Sequence, residues 1–234
     1  ADNNYKRVLG CGCIEYFKEL KEKGIIKYLG FSFHGKPDVL REIVENYQFD
    51  FVQIQLNYYD WYYGTAKEQY EILTEHQIPV MVMEPIHGGM LVNLNEEAGQ
   101  VLKAVDKNMS YASWALRFVR DLENVCVTLS GMSNLDVAIE NIKTFSDNTP
   151  LTKEHLEAIR ISCEKTQSQI GVVCTGCRYC VHHCPKGLDI PYLLKLYNEY
   201  KLGGTWRLAR LKGENPLKLP SQCISCGACT RMCP

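Results

Sequence analysis

The sequence predicts an α/β fold in which four β-strand–α-helix units, half of a (β/α)8 TIM barrel, precede a small and mainly α-helical domain. Strand-like and helix-period segments alternate from residue 11 to about residue 145. Predicted strands begin near residues 26, 51, 79 and 125, a spacing typical of barrels in which about 250 residues form eight units. Beyond them, eight of the twelve cysteines fall in two clusters with identical spacing.

The first two units alternate amphipathic helices with apolar strands. Ile14, Phe17 and Leu20 lie on one face of a helix that ends at Gly24, and the segment "IKYLGFSFH" follows as a buried strand. The next helix carries apolar residues on one side, and the strand "FVQIQLNYY" comes after it. Those apolar residues are Val39, Leu40, Ile43, Val44 and Tyr47.

The last two units follow the same alternation. A third helix is predicted over residues 66–76, and the strand "IPVMVME" succeeds it. After a loop with Gly88 and Gly89, one or two helices lead to the strand "VCVTLSG", and a further helix runs from about residue 135 to residue 144. The clearer of the middle helices is marked by Ala112, Trp114, Ala115, Phe118 and Val119.

A sheet of only four parallel strands has two open edges and needs covering on both faces. We therefore expect the upstream half of the barrel to be missing from this chain, which begins at Ala1 without an initiating Met. A self-sufficient open sheet or a dimer of half-barrels is the alternative.

The segment "SDNTPL" at 146–151 contains a proline and predicts a domain break. It separates a barrel domain, 1–150, from a connecting helix, 151–170, with Leu156, Ile159 and Cys163 on one face. The cysteine-rich domain occupies 171–234. Between its two clusters we predict the helix "DIPYLLKLYNEYKL", a "GG" loop and a second short helix at about 206–211.

Composition narrows the classes of function. A hydrophobic content of 46% is ample for a buried core, and a net charge of -1 gives no broad electrostatic footprint for nucleic acid or an anionic membrane. The sequence has neither an apolar run long enough to span a bilayer nor the charged-then-apolar order of a signal peptide. These features indicate a cytoplasmic protein.

The two cysteine clusters share the pattern C-x2-C-x2-C-x3-C-P. Three thiolates at this spacing can hold three corners of one 4Fe-4S cluster, while the fourth cysteine is directed to the other cluster. The pattern therefore predicts two 4Fe-4S clusters with crossed ligands. One set is Cys174, Cys177, Cys180 and Cys233, and the other is Cys223, Cys226, Cys229 and Cys184.

Structural zinc is the alternative metal that four cysteine ligands could bind, but zinc sites usually consist of two separated C-x2-C pairs. Because every ligand position is filled by cysteine, His182 and His183 are interpreted as spacers. The remaining cysteines are expected to be small buried apolar residues. They are Cys11, Cys13, Cys126 and Cys163. The basic segment 201–218 is either a solvated face or a docking surface for an acidic redox partner.

Five segments and the double cysteine motif resemble the aldo/keto reductase family, in particular its branch with a C-terminal 4Fe-4S ferredoxin-like domain. The segments are "LKEKGIIKYLGFSFHG", "VQIQLNYYD", "IPVMVMEPIHGGML", "WALRFV" and "LSGMSNLDVAIENI". The resemblance covers essentially the whole chain and implies that its strands are strands five to eight, the C-terminal half of the barrel. It also implies NAD(P)H at the C-terminal ends of the strands.

The resemblance assigns cofactor-binding residues position by position. Ser32 and Gln53 match positions that hold the nicotinamide carboxamide. A loop and helix start match the part of the family that grips the adenosine end, where helix N-terminal amides suit phosphate. These matches are Gly131, Ser133, Asn134, Glu140 and Asn141.

The chain also departs from the family pattern. Phe33 replaces an asparagine, Met83 replaces the aromatic residue that stacks on nicotinamide, and Val137 replaces a basic residue that often contacts a 2′-phosphate. The choice between NAD and NADP is therefore open. The catalytic Asp, Tyr, Lys and His of the family belong to strands one to four, and none of them can be placed in this chain.

Some titratable residues fall at or just after strand ends, the face on which barrel enzymes keep their chemistry. His34 and Glu84 are the candidates for acid–base catalysis, with His87 a weaker one. Tyr58, Tyr59 and Asp60 share that rim and are candidates to line a substrate pocket.

Electron counting leaves two hypotheses. A nicotinamide transfers two electrons as hydride and a 4Fe-4S cluster accepts one, so their exchange normally needs a flavin or another converter, and no flavin motif is present. In the first hypothesis the complete protein is an NAD(P)H-linked reductase of a carbonyl-like small substrate that exchanges electrons with a ferredoxin- or flavin-type partner. In the second it is an electron-transfer module whose barrel is a docking or sensing scaffold.

Overall fold

The computed structural model describes residues 2–169, 171–172, 174, 178–201 and 219–233. Four features predicted from the sequence lie wholly or partly outside these residues. They are Cys177, the "GG" loop, the short helix at 206–211, and the basic segment 201–218, of which only Lys201 is described.

Four parallel strands form one sheet in the order β1-β2-β3-β4, so each strand lies beside its neighbour in sequence. The strands are β1 (Gly30–Phe33), β2 (Phe51–Gln55), β3 (Val80–Met83) and β4 (Val125–Thr128). Parallel strands in sequential order, joined by helical crossovers, are the repeating arrangement of a TIM barrel. The structure confirms the four predicted βα units.

Helices precede, connect and follow the strands. Before β1 come α1 (Asp2–Gly10) and α2 (Cys13–Glu22). Between strands lie α3 (Pro37–Asn46), α4 (Tyr58–Tyr63), α5 (Ala66–Glu75), a 3-10 helix (His87–Val92), α6 (Glu96–Val105) and α7 (Tyr111–Arg120). After β4 come α8 (Leu135–Ser146) and α9 (Lys153–Gln167).

The helices cover one face of the sheet and form the core with it. Val52 and Ile54 of β2 and Val80 of β3 are fully buried, and Leu40 and Trp114 pack in the same cluster from α3 and α7. Burial of such side chains stabilises the fold by about 1.5–3 kcal/mol each. Leu40 and Trp114, whose periodic positions predict their helices, therefore meet the sheet, whereas Phe17 of the first predicted helix is 43% exposed.

The opposite face of the sheet is more accessible. Gln53 pairs with Met81, and Met81 pairs with Val127, so these three side chains lie on the same face. Gln53 and Met81 are half-buried and Val127 is 39% exposed. A closed barrel turns this face inward, which matches the prediction of a half-barrel.

Two α-helices of the barrel domain were not expected from the sequence pattern. Helix α1 precedes the first predicted element, and α4 begins at Tyr58, inside the segment read as the second strand. The side-chain oxygen of Asn57 accepts a hydrogen bond from the backbone N–H of Asp60 at 2.9 Å. This N-cap ends the extended segment and starts the helix.

Burial of α9 follows the prediction only in part. Ile159 and Cys163 are buried, and the helix contacts α6 and α4, whereas Leu156 is 39% exposed. Among the cysteines outside the motifs, the prediction of burial is confirmed for Cys163. It is wrong for Cys11 and Cys126, which are exposed.

The cysteine-rich part contains short helices. They are α10 (Tyr179–His182), α11 (Ile190–Lys201), a 3-10 helix (Pro220–Gln222) and α12 (Ala228–Arg231). Helix α11 confirms the helix predicted between the two clusters. Within the described part of the chain, no helix is long and apolar enough to cross a membrane.

Candidate functional site

The two cysteine motifs have the same local backbone geometry. In each, the residue after the second cysteine adopts a left-handed conformation, with φ 65° at Arg178 and 68° at Gly227. A one-turn helix, α10 or α12, then carries the third cysteine. Glycine adopts this conformation freely, whereas a residue with a side chain pays about 1–2 kcal/mol for it. The repeated spacing therefore reflects a repeated fold.

The fourth cysteine of each motif follows its helix in an equivalent turn. The backbone N–H of Cys184 donates to the carbonyl of Val181 at 3.3 Å, and that of Cys233 donates to the carbonyl of Thr230 at 3.4 Å. Helices α10 and α12 contact each other. The two motifs are thus packed side by side.

A cavity of about 480 Å³ is shared between the motifs. Cys184 of the first motif lines it together with all three leading cysteines of the second, namely Cys223, Cys226 and Cys229. Its other walls are largely apolar, with Leu188, Ile190 and Leu193 among them. This group is the crossed ligand set that the sequence predicts for the second cluster.

Backbone amides already point at two of the sulfurs. The N–H of Leu188 donates to Cys184 Sγ, and the N–H of Ser225 donates to Cys223 Sγ, each at 3.4 Å. Such N–H···S bonds stabilise thiolate charge and tune the reduction potential of iron–sulfur clusters.

The donor set and the cavity fit an iron–sulfur cluster. Among the described residues, which exclude Cys177, no three Cys, His, Asp or Glu side chains form a group that could hold a single metal ion. The cavity volume lies in the range of roughly 300–1,000 Å³ that is typical of ligand pockets. Four cysteines around an apolar space are a donor set suited to Fe–S chemistry.

The first ligand set is described only in part. Cys174 and Cys233 are exposed, Cys180 is half-buried, and Cys177 lies outside the described residues. His182 and His183 are both exposed. The assignment of this set to a second cluster stays a prediction.

Ser32 and Gln53, the nicotinamide-binding candidates, lie together on the accessible face of the sheet. They pair across β1 and β2, and Gln53 Nε2 is 3.4 Å from Ser32 Oγ. Met83 reaches the same place, with its Sδ 3.4 Å from Gln53 Nε2 and 3.9 Å from Ser32 Oγ. The next residue, Phe33, points to the other face and is buried in the core.

The adenosine-end candidates surround the start of α8. Gly131 and Ser133 are exposed, and the side chain of Asn134 caps the helix by accepting from the N–H of Val137 at 3.0 Å. Buried Asn141 donates to Ser130 Oγ at 2.9 Å, which ties the helix to the loop before it. Glu140 accepts a hydrogen bond from the hydroxyl of Ser110. The contacts of Asn134 and Asn141 hold the loop beside the helix N-terminus, and that of Glu140 joins α8 to the N-cap of α7.

A polar network at the strand ends joins Asp60, a candidate to line a substrate pocket, to His87, the weaker candidate for acid–base catalysis. One oxygen of Asp60 accepts from Gln55 Nε2 and Asn57 Nδ2 at 2.7 Å each, and lies 3.1 Å from His87 Nδ1. Burial raises the pKa of Asp60, but the hydrogen bonds and charge of His87, with those from Gln55 and Asn57, bring the pKa below its usual value. The carboxylate is therefore held ionised.

The loop that carries His87 has an unusual backbone. Glu84 and His87 both have positive φ, 56° and 48°, which is uncommon for residues other than glycine. The carboxylate of Glu84 accepts from the N–H of Gly88, and its carbonyl accepts from Asn57 Nδ2 at 3.1 Å. The network thus fixes the loop.

The other candidate residues at the strand ends differ in burial. His34 and Glu84 are exposed, whereas Tyr58 is completely buried and cannot line a pocket, so that expectation is wrong. Tyr59 packs edge-on against His87 and donates from its hydroxyl to Gln167 of α9 at 2.5 Å. Sequence reasoning missed the Asp60–His87 pair because 27 residues separate them; the signal was that each follows a neighbouring strand.

Parallel βα units followed by two four-cysteine motifs define the class of protein as a partial α/β barrel joined to an iron–sulfur domain. Over residues 8–164 the sequence matches the pattern of the aldo/keto reductase family. Because this match spans most of the chain, the protein belongs to the aldo/keto reductase family. Residues 173–234 match the 4Fe-4S dicluster domain. Both halves of the resemblance are confirmed.

Individual relatives agree with this assignment. YqkF, an uncharacterized oxidoreductase of Bacillus subtilis (strain 168), is 26% identical over 168 residues, which are 63% of this chain and 53% of YqkF. Aldo-keto reductase AKR11C1 from Bacillus halodurans, in its holo form, has a similar fold, with a TM-score of 0.54 and 24% identity over 64% of this chain and 54% of its own.

A thermostable aldo-keto reductase, Tm1743, solved with the inhibitor epalrestat, has a similar fold with a TM-score of 0.53 and 18% identity. That likeness covers 64% of this chain and 53% of Tm1743. The chain therefore spans about half the length of the relatives it matches.

Proposed function

We propose that this chain is part of an NAD(P)H-linked iron–sulfur oxidoreductase that reduces a carbonyl-like small substrate. Two 4Fe-4S clusters exchange electrons with a ferredoxin- or flavin-type partner. The enzyme works in the cytoplasm, where thiols stay reduced. His34 and Glu84 remain candidates for acid–base catalysis, and His87, oriented by Asp60, is a third.

The observation that carries the proposal is the shared cavity. Cys184 comes from the first motif, yet it lines the same cavity as Cys223, Cys226 and Cys229 of the second. This placement supports crossed ligation, in which each motif completes the cluster of the other. When bound, such clusters carry single electrons, and their proximity suits transfer from one to the next.

The nucleotide part of the proposal is supported by the strand ends. Ser32 Oγ and Gln53 Nε2 present a hydroxyl and an amide 3.4 Å apart on the accessible face of the sheet. These groups can donate to and accept from a carboxamide. The N-terminus of α8, with its exposed loop, offers backbone amides to a phosphate at the same edge.

One contact favours the second candidate, an electron-transfer module without nicotinamide chemistry. The sulfur of Met83 lies 3.4 Å from Gln53 Nε2, so it takes the place where a carboxamide would approach. Since Met side chains are flexible, Met83 can also move aside. Nucleotide binding therefore distinguishes the two candidates.

We expect the reconstituted chain to bind one of the two reduced nicotinamide nucleotides, and Gln53→Ala to weaken that binding about tenfold, the value of one lost hydrogen bond. The measurement is an anaerobic titration with NADH and with NADPH that follows nicotinamide fluorescence and cluster absorbance together. Gln100→Ala, on the exposed side of α6, is the matched control and should bind normally. No binding of either nucleotide would contradict the nicotinamide part of the proposal and would favour the electron-transfer module.

We also expect the chain of 234 residues to show no carbonyl reductase turnover by itself. The catalytic tetrad implied by the family resemblance belongs to strands that this chain does not supply. Nucleotide consumption with a panel of aldehydes and ketones measures this directly. Turnover by the purified chain would contradict the expectation and would place a complete catalytic set among its own residues.

A further inference from the structure

Two cysteines outside the cluster motifs lie against each other at the surface. Cys11 follows α1 and Cys13 begins α2, and their Sγ atoms are 2.8 Å apart. A disulfide bond is about 2.05 Å long, so the sulfurs need to approach by less than about 1 Å to form one. No other role described above uses these residues.

The turn between the two helices holds Cys11 and Cys13 close together and leaves the pair accessible to solvent. Gly12 has φ 67°, a left-handed conformation that glycine adopts without strain, and it brings both side chains to one side of the turn. A Cβ atom added at Gly12 would meet no other atom within 4 Å. Cys11 is exposed and Cys13 is half-buried, so a small reagent can reach the first sulfur.

The surroundings distinguish the two thiols. The hydrogen bond from Cys13 lowers the pKa of Cys11, with a smaller contribution from the charge of Arg7, whereas the same interaction raises the pKa of Cys13. The thiolate is the reactive form of cysteine. Because Cys11 is exposed and Cys13 is half-buried, Cys11 is the thiol that a reagent reaches first, and Cys13 is the one that follows.

We propose that Cys11 and Cys13 form a reversible redox pair that is oxidised to an intramolecular disulfide by low-molecular-weight disulfides of the glutathione type. The Cys11 thiolate attacks one sulfur of the disulfide, which releases one thiol and leaves a mixed disulfide on Cys11. The Cys13 thiolate then attacks the Cys11 sulfur and releases the second thiol. The two cysteines lose two electrons and two protons, and the small disulfide gains them.

The chain offers a digest that isolates this pair. Trypsin cleaves after Arg7 and Lys18, so the peptide 8–18 contains Cys11 and Cys13 and no other cysteine. The peptide 121–143 contains Cys126 alone, also exposed, and serves as the internal reference. The anaerobic, cluster-loaded protein is equilibrated with glutathione disulfide and glutathione, and its remaining thiols are then alkylated. The masses of both tryptic peptides are measured by mass spectrometry.

We expect peptide 8–18 to convert to a disulfide form that carries no alkyl groups. Its mass should be lower than that of the reduced, unalkylated peptide by two hydrogen atoms. Half-conversion should need about tenfold less glutathione disulfide than half-modification of Cys126, because the second step is intramolecular. If peptide 8–18 keeps both alkyl groups at concentrations that modify Cys126, or carries glutathione on both cysteines, the proposal is wrong.

Two variants complete the test. In Cys13→Ala the ring cannot close, so Cys11 should keep its glutathione adduct; absence of this adduct would overturn Cys11 as the first thiol. Cys126→Ser, the control, should leave the conversion of peptide 8–18 unchanged.

Discussion

Replacing Cys184 with alanine is expected to remove one cluster and about half of the iron and acid-labile sulfide, although three leading cysteines remain in each motif. Cys184 lines the cavity of Cys223, Cys226 and Cys229, so its loss leaves that cluster with three protein ligands and one iron open to solvent. The measurement is iron and sulfide content after anaerobic reconstitution, with electron paramagnetic resonance of the dithionite-reduced protein.

Double variants show which cluster is lost. If ligation is crossed, Cys184→Ala combined with Cys226→Ala removes the same cluster twice and still leaves one. Combined with Cys174→Ala, it removes both. Uncrossed ligation gives the reverse result. Cys126→Ser changes an exposed cysteine outside the motifs and should retain the full iron content.

The second large effect is expected at Asp60. Asp60→Ala should lower the free energy of unfolding by about 2–4 kcal/mol, because the donors of Gln55, Asn57 and His87 lose their common acceptor in a largely buried site. Asp60→Asn keeps the shape without the charge and should cost less. Urea titration followed by fluorescence of Trp61 and Trp114 measures both, since each packs in the core or against it.

The contribution of Asp60 to the stability of the fold is expected to decrease at low pH. The pKa of Asp60 is lowered in the folded protein, so its ionised form contributes stability that is fully present above the unfolded pKa of about 3.9. That contribution is lost as the pH falls through the lower, folded pKa. The difference between the wild type and Asp60→Asn should therefore shrink below about pH 4.

An exposed ion pair provides the control. Glu19→Ala breaks the pair of Glu19 with Lys23 on α2, in which both side chains are more than 60% exposed. Pairs of this kind contribute about 0.3–0.5 kcal/mol, so stability should hardly change. A change equally small for Asp60→Ala would show that the network does not support the loop of His87.

Local sequence signals predicted most of the fold. The apolar periodicity at Leu40 and Trp114 gave helices that bury those residues, because the period of a helix decides which face meets the sheet. Prediction failed where a side chain overrides the pattern. The cap at Asn57 turns Tyr58 and Tyr59 from strand into helix, and the apolar Leu156 stays exposed because no element covers it in the described structure.

The candidate site likewise has residues that the sequence predicted and a pair of residues that it did not. The cysteine spacing by itself indicated the ligands of the clusters, since three thiolates at this spacing hold three corners of one cluster and the fourth cysteine is directed to the other. Ser32 and Gln53 came from their match to a family pattern. Neither route could join Asp60 to His87, because the side chains meet only when β2 and β3 lie side by side.

The sequence alone determined the alternation of strands and helices, the cysteine rhythm and the family to which this chain belongs, because each is written in neighbouring residues. Only the tertiary structure decided which polar residue supports the strand-end loop and which surface cysteines touch. These depend on distances between segments, and a linear pattern carries no information about how far apart two side chains come to rest.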